Sequence, residues 1–489
     1  MRLDDDLKYF ESSEFKDILA TYETACEAGS QPYMEADELT DIAEYYSMVC
    51  HDDERAEEAI TLALQLHPDA VDPQVFKARQ FMQAGELGTA EDLCNAIEDQ
   101  QDREVIFLRA ELMVREERVE EAATMLLQIA FTIKEDSDYF LYDSAYIFID
   151  YHIYDQAIVF ANQLVQIAPD WYKTWQVMAD TNLGLNNNRV ALTYIERMLD
   201  VDPFSTESWN WRAEAYCELG EYPEALNSTE YALAIDAQNE RATQLKAWVL
   251  LQQEHYPEAL ALYERLIEWS PDNEQNWLYA SYCLLDADRV EEALAAIEKA
   301  EALAQGMSSE QAVIYEQHAQ ILSRKGDVEG ALENLDKAQT YFEPDADVLD
   351  LDLLRARVEA ENERPDLALD YIQQAYHHHE DEHLVVYFQG ALTLFDCGYY
   401  EIARDMLLEL LKHDEAPRHQ AEYYAYLAYC SMMLEQSEKT LDYLQLAMPM
   451  GEDKLRELFS DEFPNVQPAE YYDYYYYRIH NQWPSYPPF

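Results

Sequence analysis

The sequence predicts an all-α chain in which about twelve helical hairpins stack in a row, and three features support this prediction. Small residues recur at a fixed interval through the middle of the 489-residue chain. A second small residue stands ahead of each of them at a constant distance, and prolines share the same register. A chain of this length is also too long for one globular core, which favours repeats stacked in one dimension.

The repeat is strictest over residues 138–304. Alanines fall 34 residues apart there, and each has a small partner twelve residues earlier. The pairs are Ala145 and Ala157, Ala179 and Ala191, Ala213 and Ala225, Ala247 and Ala259, and Ser281 and Ala293. Two antiparallel helices cross closely only where side chains are small, with larger residues filling the flanking grooves. Each pair therefore predicts one hairpin and its crossing point.

Prolines predict where the hairpins end. Pro169, Pro203 and Pro271 share one register, and Ala237 stands in the remaining slot. Proline lacks the N–H that a helix interior needs, and it disfavours the helical conformation at the residue before it. Each proline is therefore expected to separate one hairpin from the next.

These units resemble the tetratricopeptide repeat, whose 34-residue pattern is W-x2-L-G-x2-Y, then A-x3-F, then P, and one of them matches it best. The matching residues are Trp175, Met178, Ala179, Ala191, Ile195 and Pro203, with Asn182 in place of the aromatic residue. Looser units have their anchors at Ala43 and Ala56, Ala78 and Ala90, Ala110 and Ala122, Ala319 and Ala331, Ala356 and Ala368, Ala391 and Ala403, and Ala428 and Thr440. The units around Ala78 and Ala356 match weakly. The resemblance implies a right-handed superhelical solenoid of about twelve hairpins over residues 37–449.

Both ends of the chain depart from the repeat and predict caps. Residues 1–36 contain an amphipathic helix whose apolar residues are Leu7, Phe10, Phe15, Ile18, Leu19 and Tyr22. Residues 450–489 contain a short helix followed by a tail rich in tyrosine and proline. A terminal repeat needs one apolar and one polar face, so we expect both segments to cover the end hairpins.

Charge and cysteine content limit the partners and the compartment. Ninety-nine Asp and Glu against 33 Lys and Arg give a formal net charge of −66, which repels nucleic acid and anionic membranes. Most of this charge is interpreted as a solvated face, and attraction of a basic partner is the alternative. The seven cysteines include no CxxC pair, and no long apolar stretch occurs. These features predict a cytoplasmic protein without membrane insertion.

The sequence contains one weak catalytic motif. His379 to His383 fits H-E-x-x-H, the zinc-protease pattern in which two histidines share one face of a helix. The repeat register instead places this segment in a turn, so a solvated polar turn is the preferred interpretation. A weak surface metal site comes second, and a zinc-dependent hydrolase is the remote alternative. No phosphate-binding loop or nucleophile turn occurs among only 11 glycines, so the sequence predicts no enzyme and no cofactor.

The resemblance implies a groove that binds another protein. In tetratricopeptide proteins the first helix of each hairpin lines a concave groove, through positions 2, 5, 9, 12 and 13 of each repeat. Those positions yield the candidates Tyr139, Tyr142, Tyr146, Asp180, Asn210, Glu214, Gln244, Trp248, Leu278, Tyr282, Phe388, Leu392, Phe395, Tyr429 and Met432. We expect Tyr142 and Trp248 to be exposed, because aromatic rings suit an extended peptide or a helix. Alternatively, several of these rings pack against the neighbouring helix, or a tight superhelix buries the groove.

Two functions remain open at this level. The first is a scaffold or adaptor that binds a peptide or helix of a partner protein, with basic ligands fitting best. The second is a regulatory or structural subunit that contacts basic partners through its acidic convex face or its Tyr-rich tail.

Overall fold

The protein is all-α, as the sequence predicts. The computed structural model describes residues 9–28, 30, 32–133, 136–304, 309–342, 349–378, 383–413 and 416–484, and no β-strand occurs within these ranges. The chain divides into two compact units, Met1–Leu245 and Lys246–Phe489. Leu7 of the predicted N-terminal helix lies outside the described residues.

The N-terminal unit is built from antiparallel helix pairs that follow a single first helix. Its helices are α1 Ser13–Glu27, α2 Ala36–Met48, α3 Asp53–Leu66, α4 Val71–Gln83, α5 Leu87–Ala96, α6 Arg103–Arg115, α7 Val119–Ala130, α8 Ser137–Asp150, α9 Tyr154–Ile167, α10 Tyr172–Gly184, α11 Asn188–Val201, α12 Thr206–Glu218 and α13 Tyr222–Ile235. The next helix, α14, spans Glu240–Gln252 and contains the division between the two units.

The C-terminal unit continues the same pattern and ends in two extra helices. Its helices after α14 are α15 Tyr256–Trp269, α16 Glu274–Asp286, α17 Val290–Leu303, α18 Ser309–Lys325, α19 Val328–Gln339, α20 Leu349–Glu361, α21 Pro365–His378, α22 His383–Asp396, α23 Tyr400–His413, α24 Pro417–Met433, α25 Ser437–Ala447, α26 Glu452–Phe459 and α27 Tyr471–His480, with a 3-10 turn at Pro468–Glu470.

The predicted crossing residues lie where the paired helices meet. From α2 and α3 to α24 and α25, the described residues form twelve hairpins, each with one predicted small residue on either helix. Every one of these residues is fully buried, from Ala43 and Ala56 in the first hairpin to Ala428 and Thr440 in the last. The predicted register is therefore confirmed, because a small side chain at a close crossing is covered by both helices.

Tryptophans and prolines of the repeat are joined by a recurring hydrogen bond. The indole Nε1–H of Trp175 donates to the carbonyl oxygen of Pro169 at 2.9 Å. The same bond joins Trp209 to Pro203 and Trp277 to Pro271, both at 2.9 Å. Each proline lies two residues beyond the end of a helix, so its carbonyl has no helical donor, and the indole supplies one. The motif thus fixes the start of one hairpin to the end of the previous one.

The turn inside each hairpin contains one residue with positive φ. Four of these residues are glycines, and the rest are His51, Glu117, His152, Asn186, Glu254, Asp288, Glu363 and Glu435. A left-handed residue after a helix lets the following N–H bond back to the last turn. In one such turn the N–H of His255 donates to the carbonyl oxygen of Leu250 at 2.8 Å.

Replacing Glu254 by glycine is expected to stabilise the protein by about 0.5–1 kcal/mol. The left-handed conformation costs an L-residue about 1–2 kcal/mol, and glycine avoids this cost. Glycine also loses more chain entropy on folding, which cancels about 0.5–1 kcal/mol of the gain. Chemical denaturation of Glu254→Gly measures the change. Glu298→Gly, on the exposed face of α17, is the matched control and should cost about 1 kcal/mol; a loss at both positions would contradict the turn geometry.

Both end segments pack against the hairpins next to them. Phe15 and Tyr22 of α1 belong to the same buried cluster as Leu39 and Ile42 of α2. At the other end, Phe459, Tyr471 and Tyr475 share a buried cluster with residues of α24 and α25. The Tyr-rich helix α27 therefore buries part of its tyrosines against the last hairpin rather than leaving them all exposed.

All seven cysteines are free thiols. Cys26 and Cys50 are exposed, whereas Cys94, Cys217, Cys283 and Cys430 are buried. Burial raises the pKa of the last three to about 12. Within the described residues, no helix is both long enough and apolar enough to cross a membrane.

Candidate protein-binding groove

The structure separates the predicted groove residues into three groups by exposure. Tyr139 is exposed, and the buried ones are Tyr142, Tyr146 and Leu278. The partly exposed ones are Asp180, Asn210, Glu214, Gln244, Trp248, Tyr282, Phe388, Leu392, Phe395, Tyr429 and Met432.

The predicted exposure of Tyr142 is wrong. Its side chain is only 2% exposed, because its ring contacts Tyr146 at a centroid distance of 4.9 Å and Trp171 at 5.8 Å. The ammonium of Lys173 lies 4.6 Å from the centre of the same ring. The Tyr142 hydroxyl donates to Gln176 Oε1 at 3.2 Å. Residues at the start of the following hairpin thus cover Tyr142, which corresponds to the alternative in which rings pack against the neighbouring helix.

The aromatic residues near the end of the C-terminal unit form a continuous packed cluster. Phe388 lies 4.9 Å from Tyr423, and Phe395 lies 5.1 Å from Tyr426 and 5.4 Å from Tyr429, measured between ring centres. These contacts join α22 to α24, two successive first helices. Phe388, Phe395 and Tyr429 therefore contribute mainly to packing between adjacent hairpins.

Trp248 and Tyr282 line a pocket of about 490 Å³ in the C-terminal unit. We call it the aromatic pocket, and its lining residues are Trp248, Leu251, Gln252, Tyr256, Tyr279, Tyr282, Leu285, Asp286 and Arg324. They come from α14, α16 and α18 and from the start of α15. Three successive first helices thus meet at one recess that presents aromatic rings, an amide and both signs of charge.

Carboxylates surround the tyrosines of the aromatic pocket. Burial and then the charge of Glu316 raise the pKa of Tyr282 to about 12. Burial followed by the charges of Glu254 and Asp286 raises the pKa of Tyr256. Both hydroxyls are therefore neutral and protonated at physiological pH, and each can donate a hydrogen bond.

A second recess, of about 390 Å³, lies in the N-terminal unit. We call it the acidic cleft; α2, α4 and α6 line it, and its charged residues are Asp37, Asp41, Glu44, Asp72, Arg79 and Glu104. Arg79 is engaged within the chain: it forms two hydrogen bonds with Glu111, at 3.1 and 2.8 Å, and one with Glu104 at 3.2 Å. The remaining charge of the cleft is negative.

The acidic cleft is not among the sites predicted from the sequence, although the same repeat positions lead to it. Ala56 and Ala90 set the register of the first two hairpins. Position 5 of the first then falls on Asp41, and positions 2 and 9 of the second fall on Asp72 and Arg79. Ala56 and Ala90 are themselves 34 residues apart, so the repeat register contains the information needed to find these positions.

The carboxyl group of Asp72 is destabilised in its charged form. Burial, followed by the charges of Asp37 and Glu104, raises its pKa to about 6, against an ordinary value of about 3.9. A pKa raised by folding means that this group opposes folding increasingly as the pH rises from about 4 to about 6, and fully above that range.

Asp72→Asn is therefore expected to raise the melting temperature at pH 7.5 and to change it little at pH 4. Thermal unfolding followed by circular dichroism at both pH values measures the difference. Asp69→Asn, at an exposed position just ahead of α4, serves as the control because it removes a carboxylate that does not line the cleft. Equal shifts at the two pH values would contradict the raised pKa of Asp72.

Most of the H-E-x-x-H motif lies outside the described residues. His379 and the three residues after it lie outside the described residues, whereas His383 begins α22. The His383 ring lies 5.6 Å from that of Tyr376, edge to face. In the ranges that the structure describes, no group of three or more His, Cys, Asp or Glu residues could hold a metal ion.

Two family models match parts of the chain. Residues 185–266 and 221–300 match the model of the anaphase-promoting complex, cyclosome, subunit 3. Residues 317–382 match a model of the tetratricopeptide repeat. No curated protein sequence matches the chain.

Several solved structures are similar to the chain at low identity. A tetratricopeptide repeat protein from Parabacteroides merdae ATCC 43184 is 16% identical, over 60% of this chain and 97% of its own, with a TM-score of 0.38. Cut9–Hcn1, an APC/C hetero-tetramer, is 13% identical over 96% of both chains, with a TM-score of 0.37. YrrB, described as a TPR protein with an unusual peptide-binding site, is 20% identical over 38% of this chain and 93% of its own, with a TM-score of 0.31.

Proposed function

We propose that this chain, a tetratricopeptide-repeat protein, is an interaction scaffold that binds a segment of a partner protein along the first helices of its hairpins. The observation that carries the proposal is the aromatic pocket, where three successive first helices contribute side chains to one recess. Trp and Tyr are the residues that most often dominate binding energy at protein interfaces. No catalytic step is part of this proposal.

The shape and lining of the aromatic pocket support this function. Leu251 and Leu285 supply apolar surface, while Gln252 and the tyrosine hydroxyls can bond to a peptide backbone. Such a mixture of apolar area and a few polar groups is typical of sites that hold an extended segment or the face of a helix.

Trp248→Ala is expected to weaken capture of the partner at least about tenfold, because interface tryptophans contribute about 2 kcal/mol or more. Affinity capture of the full-length protein from its native cell, with quantitative identification of the bound proteins, measures this loss. Circular dichroism establishes that the variant remains folded. Undiminished capture by folded Trp248→Ala would contradict the proposal.

A second candidate is a structural subunit of a larger assembly that contacts basic partners through its acidic face or its Tyr-rich tail. The match of residues 185–266 and 221–300 to a complex subunit supports this candidate. Tyr477 and Trp483 are 39% and 60% exposed and stack at 4.7 Å, so they are the tail residues best placed for such a contact.

The double variant Tyr477→Ala and Trp483→Ala discriminates between the two candidates. It leaves the buried Tyr471 and Tyr475 in place, whereas deletion of the whole tail would expose the last hairpin. Loss of capture in this variant, with normal capture by Trp248→Ala, would favour the tail. The reverse pattern would favour the groove.

A further inference from the structure

We propose that the aromatic pocket binds a lysine or arginine side chain of the partner, with the cationic group between the rings and the alkyl stem against the leucines. The inference rests on the proposed function and adds the chemistry of the bound group. It follows from the types of ring in the pocket, their fixed positions and the charges around them.

The rings of the pocket are of the kind that attracts cations. Trp248, Tyr256, Tyr279 and Tyr282 all line it, and indole and phenol rings carry negative potential on their faces. A cation over such a face gains about 0.5–2 kcal/mol, more where water is excluded. Leu251 and Leu285 offer apolar surface of the kind that the methylene stem of a lysine or arginine covers,.

Two of these rings are held in place by the core. The ring of Tyr279 stacks on that of Tyr263 at 5.6 Å, and Tyr263 is only 1% exposed. Tyr282 follows at 6.5 Å from Tyr279, with the ring planes 31° apart. A ring already fixed in the free protein loses little entropy when a ligand binds, which increases affinity.

The charge around the pocket favours a cation over an anion. Asp286 lines the recess, and Glu254 and Glu316 act electrostatically on Tyr256 and Tyr282. Among the lining residues that the structure describes, Arg324 is the one cation. Its guanidinium lies 3.9 Å from the carboxylate of Asp288, so its charge is already partly balanced.

The N-terminal unit contains an intramolecular example of the same chemistry. There the ammonium of Lys173 lies 4.6 Å from the centre of the Tyr142 ring and 5.6 Å from that of Tyr139. Tyrosines of a first helix thus accept a lysine that the chain itself provides. In the aromatic pocket the partner would provide the equivalent cation.

The test uses the full-length protein labelled with 5-fluorotryptophan and two small probes, N-acetyl-lysine methylamide and N-acetyl-glutamate methylamide. Each probe carries a single charge. A polycation would instead bind nonspecifically to a chain of −66 net charge,. Fluorine NMR follows the Trp248 resonance, assigned by its disappearance in Trp248→Phe. We expect the lysine probe to shift this resonance saturably and the glutamate probe to leave it unchanged.

Two variants that change the charge of the pocket test whether it prefers a cationic or an anionic group. Asp286→Asn is expected to weaken binding of the lysine probe about two- to fivefold, and Arg324→Ala to strengthen it by a similar factor. Binding of the glutamate probe that disappears in Arg324→Ala would overturn the proposal and assign an anion site instead. A Trp248 resonance that neither probe shifts would overturn it as well.

Failure of this inference is distinguishable from failure of the proposed function. Suppose that Trp248→Ala loses partner capture but the lysine probe does not bind. The scaffold function would then be supported, and the inference of a cation site would be contradicted. Suppose instead that the lysine probe binds but capture by Trp248→Ala is undiminished. The cation site would then be supported, and the proposal that the pocket binds the partner would be contradicted.

Discussion

Arg355→Ala is expected to lower the free energy of unfolding by about 3–5 kcal/mol, the largest effect that we expect from a single substitution. Its side chain is 7% exposed and donates hydrogen bonds to Asp352 Oδ1 at 3.0 Å, Asp336 Oδ1 at 2.9 Å and Gln339 Oε1 at 2.8 Å. Removing the guanidinium leaves the carboxylate of Asp352, 12% exposed, buried beside His378, whose Nδ1 lies 3.8 Å away and which is charged only when protonated. An unpaired buried charge is strongly destabilising, whereas the intact pair contributes little net stability.

Chemical denaturation of the full-length protein measures this loss. Arg357→Ala is the matched control two residues away: its pair with Asp396 joins side chains that are 42% and 52% exposed and should contribute about 1 kcal/mol or less. The double variant Arg355→Met and Asp352→Leu should recover most of the stability, because it removes both charges. Equal losses in Arg355→Ala and Arg357→Ala would contradict the burial of the pair.

Ala225→Leu is expected to cost about 1–3 kcal/mol by overpacking the crossing of α12 and α13. Ala225 is fully buried, as is its partner Ala213, so the three extra carbons can be accommodated only by separating the helices. The measurement is again chemical denaturation. Ala234→Leu, at an exposed position of the same helix, preserves the helix propensity and should change stability little; a similar cost for both would mean that the crossing is not tightly packed.

The fold could be predicted because its strongest constraint is local in sequence. A small residue on each helix of a hairpin, twelve positions apart in the strict block, determines where the two helices cross, and nothing distant is needed to recognise it. The weak match around Ala356 has a physical cause in the structure. Helix α20 buries Asp352, Arg355 and Glu359, which interrupts the apolar periodicity. Two of the acceptors of Arg355 lie on α19, so sequence pattern alone does not reveal their pairing.

The candidate site was less predictable because exposure depends on the neighbouring hairpin. Tyr142 and Trp248 both occupy groove positions of their repeats, yet Tyr142 is covered by Trp171 and Lys173, whereas Trp248 lines a recess. The repeat register places a residue on a helix face. It does not specify the size of the side chains that the next hairpin brings over that face.

The positions of the thiols allow local unfolding to be measured without any substitution. A disulfide reagent added to the native chain should modify Cys26 and Cys50 at once, since only the thiolate of an accessible cysteine reacts. The buried Cys94, Cys217, Cys283 and Cys430 lie in four different hairpins and become reactive only when their own surroundings unfold. Their modification rates therefore report four separate opening equilibria in an unmutated chain, which shows whether the array melts hairpin by hairpin or in larger blocks.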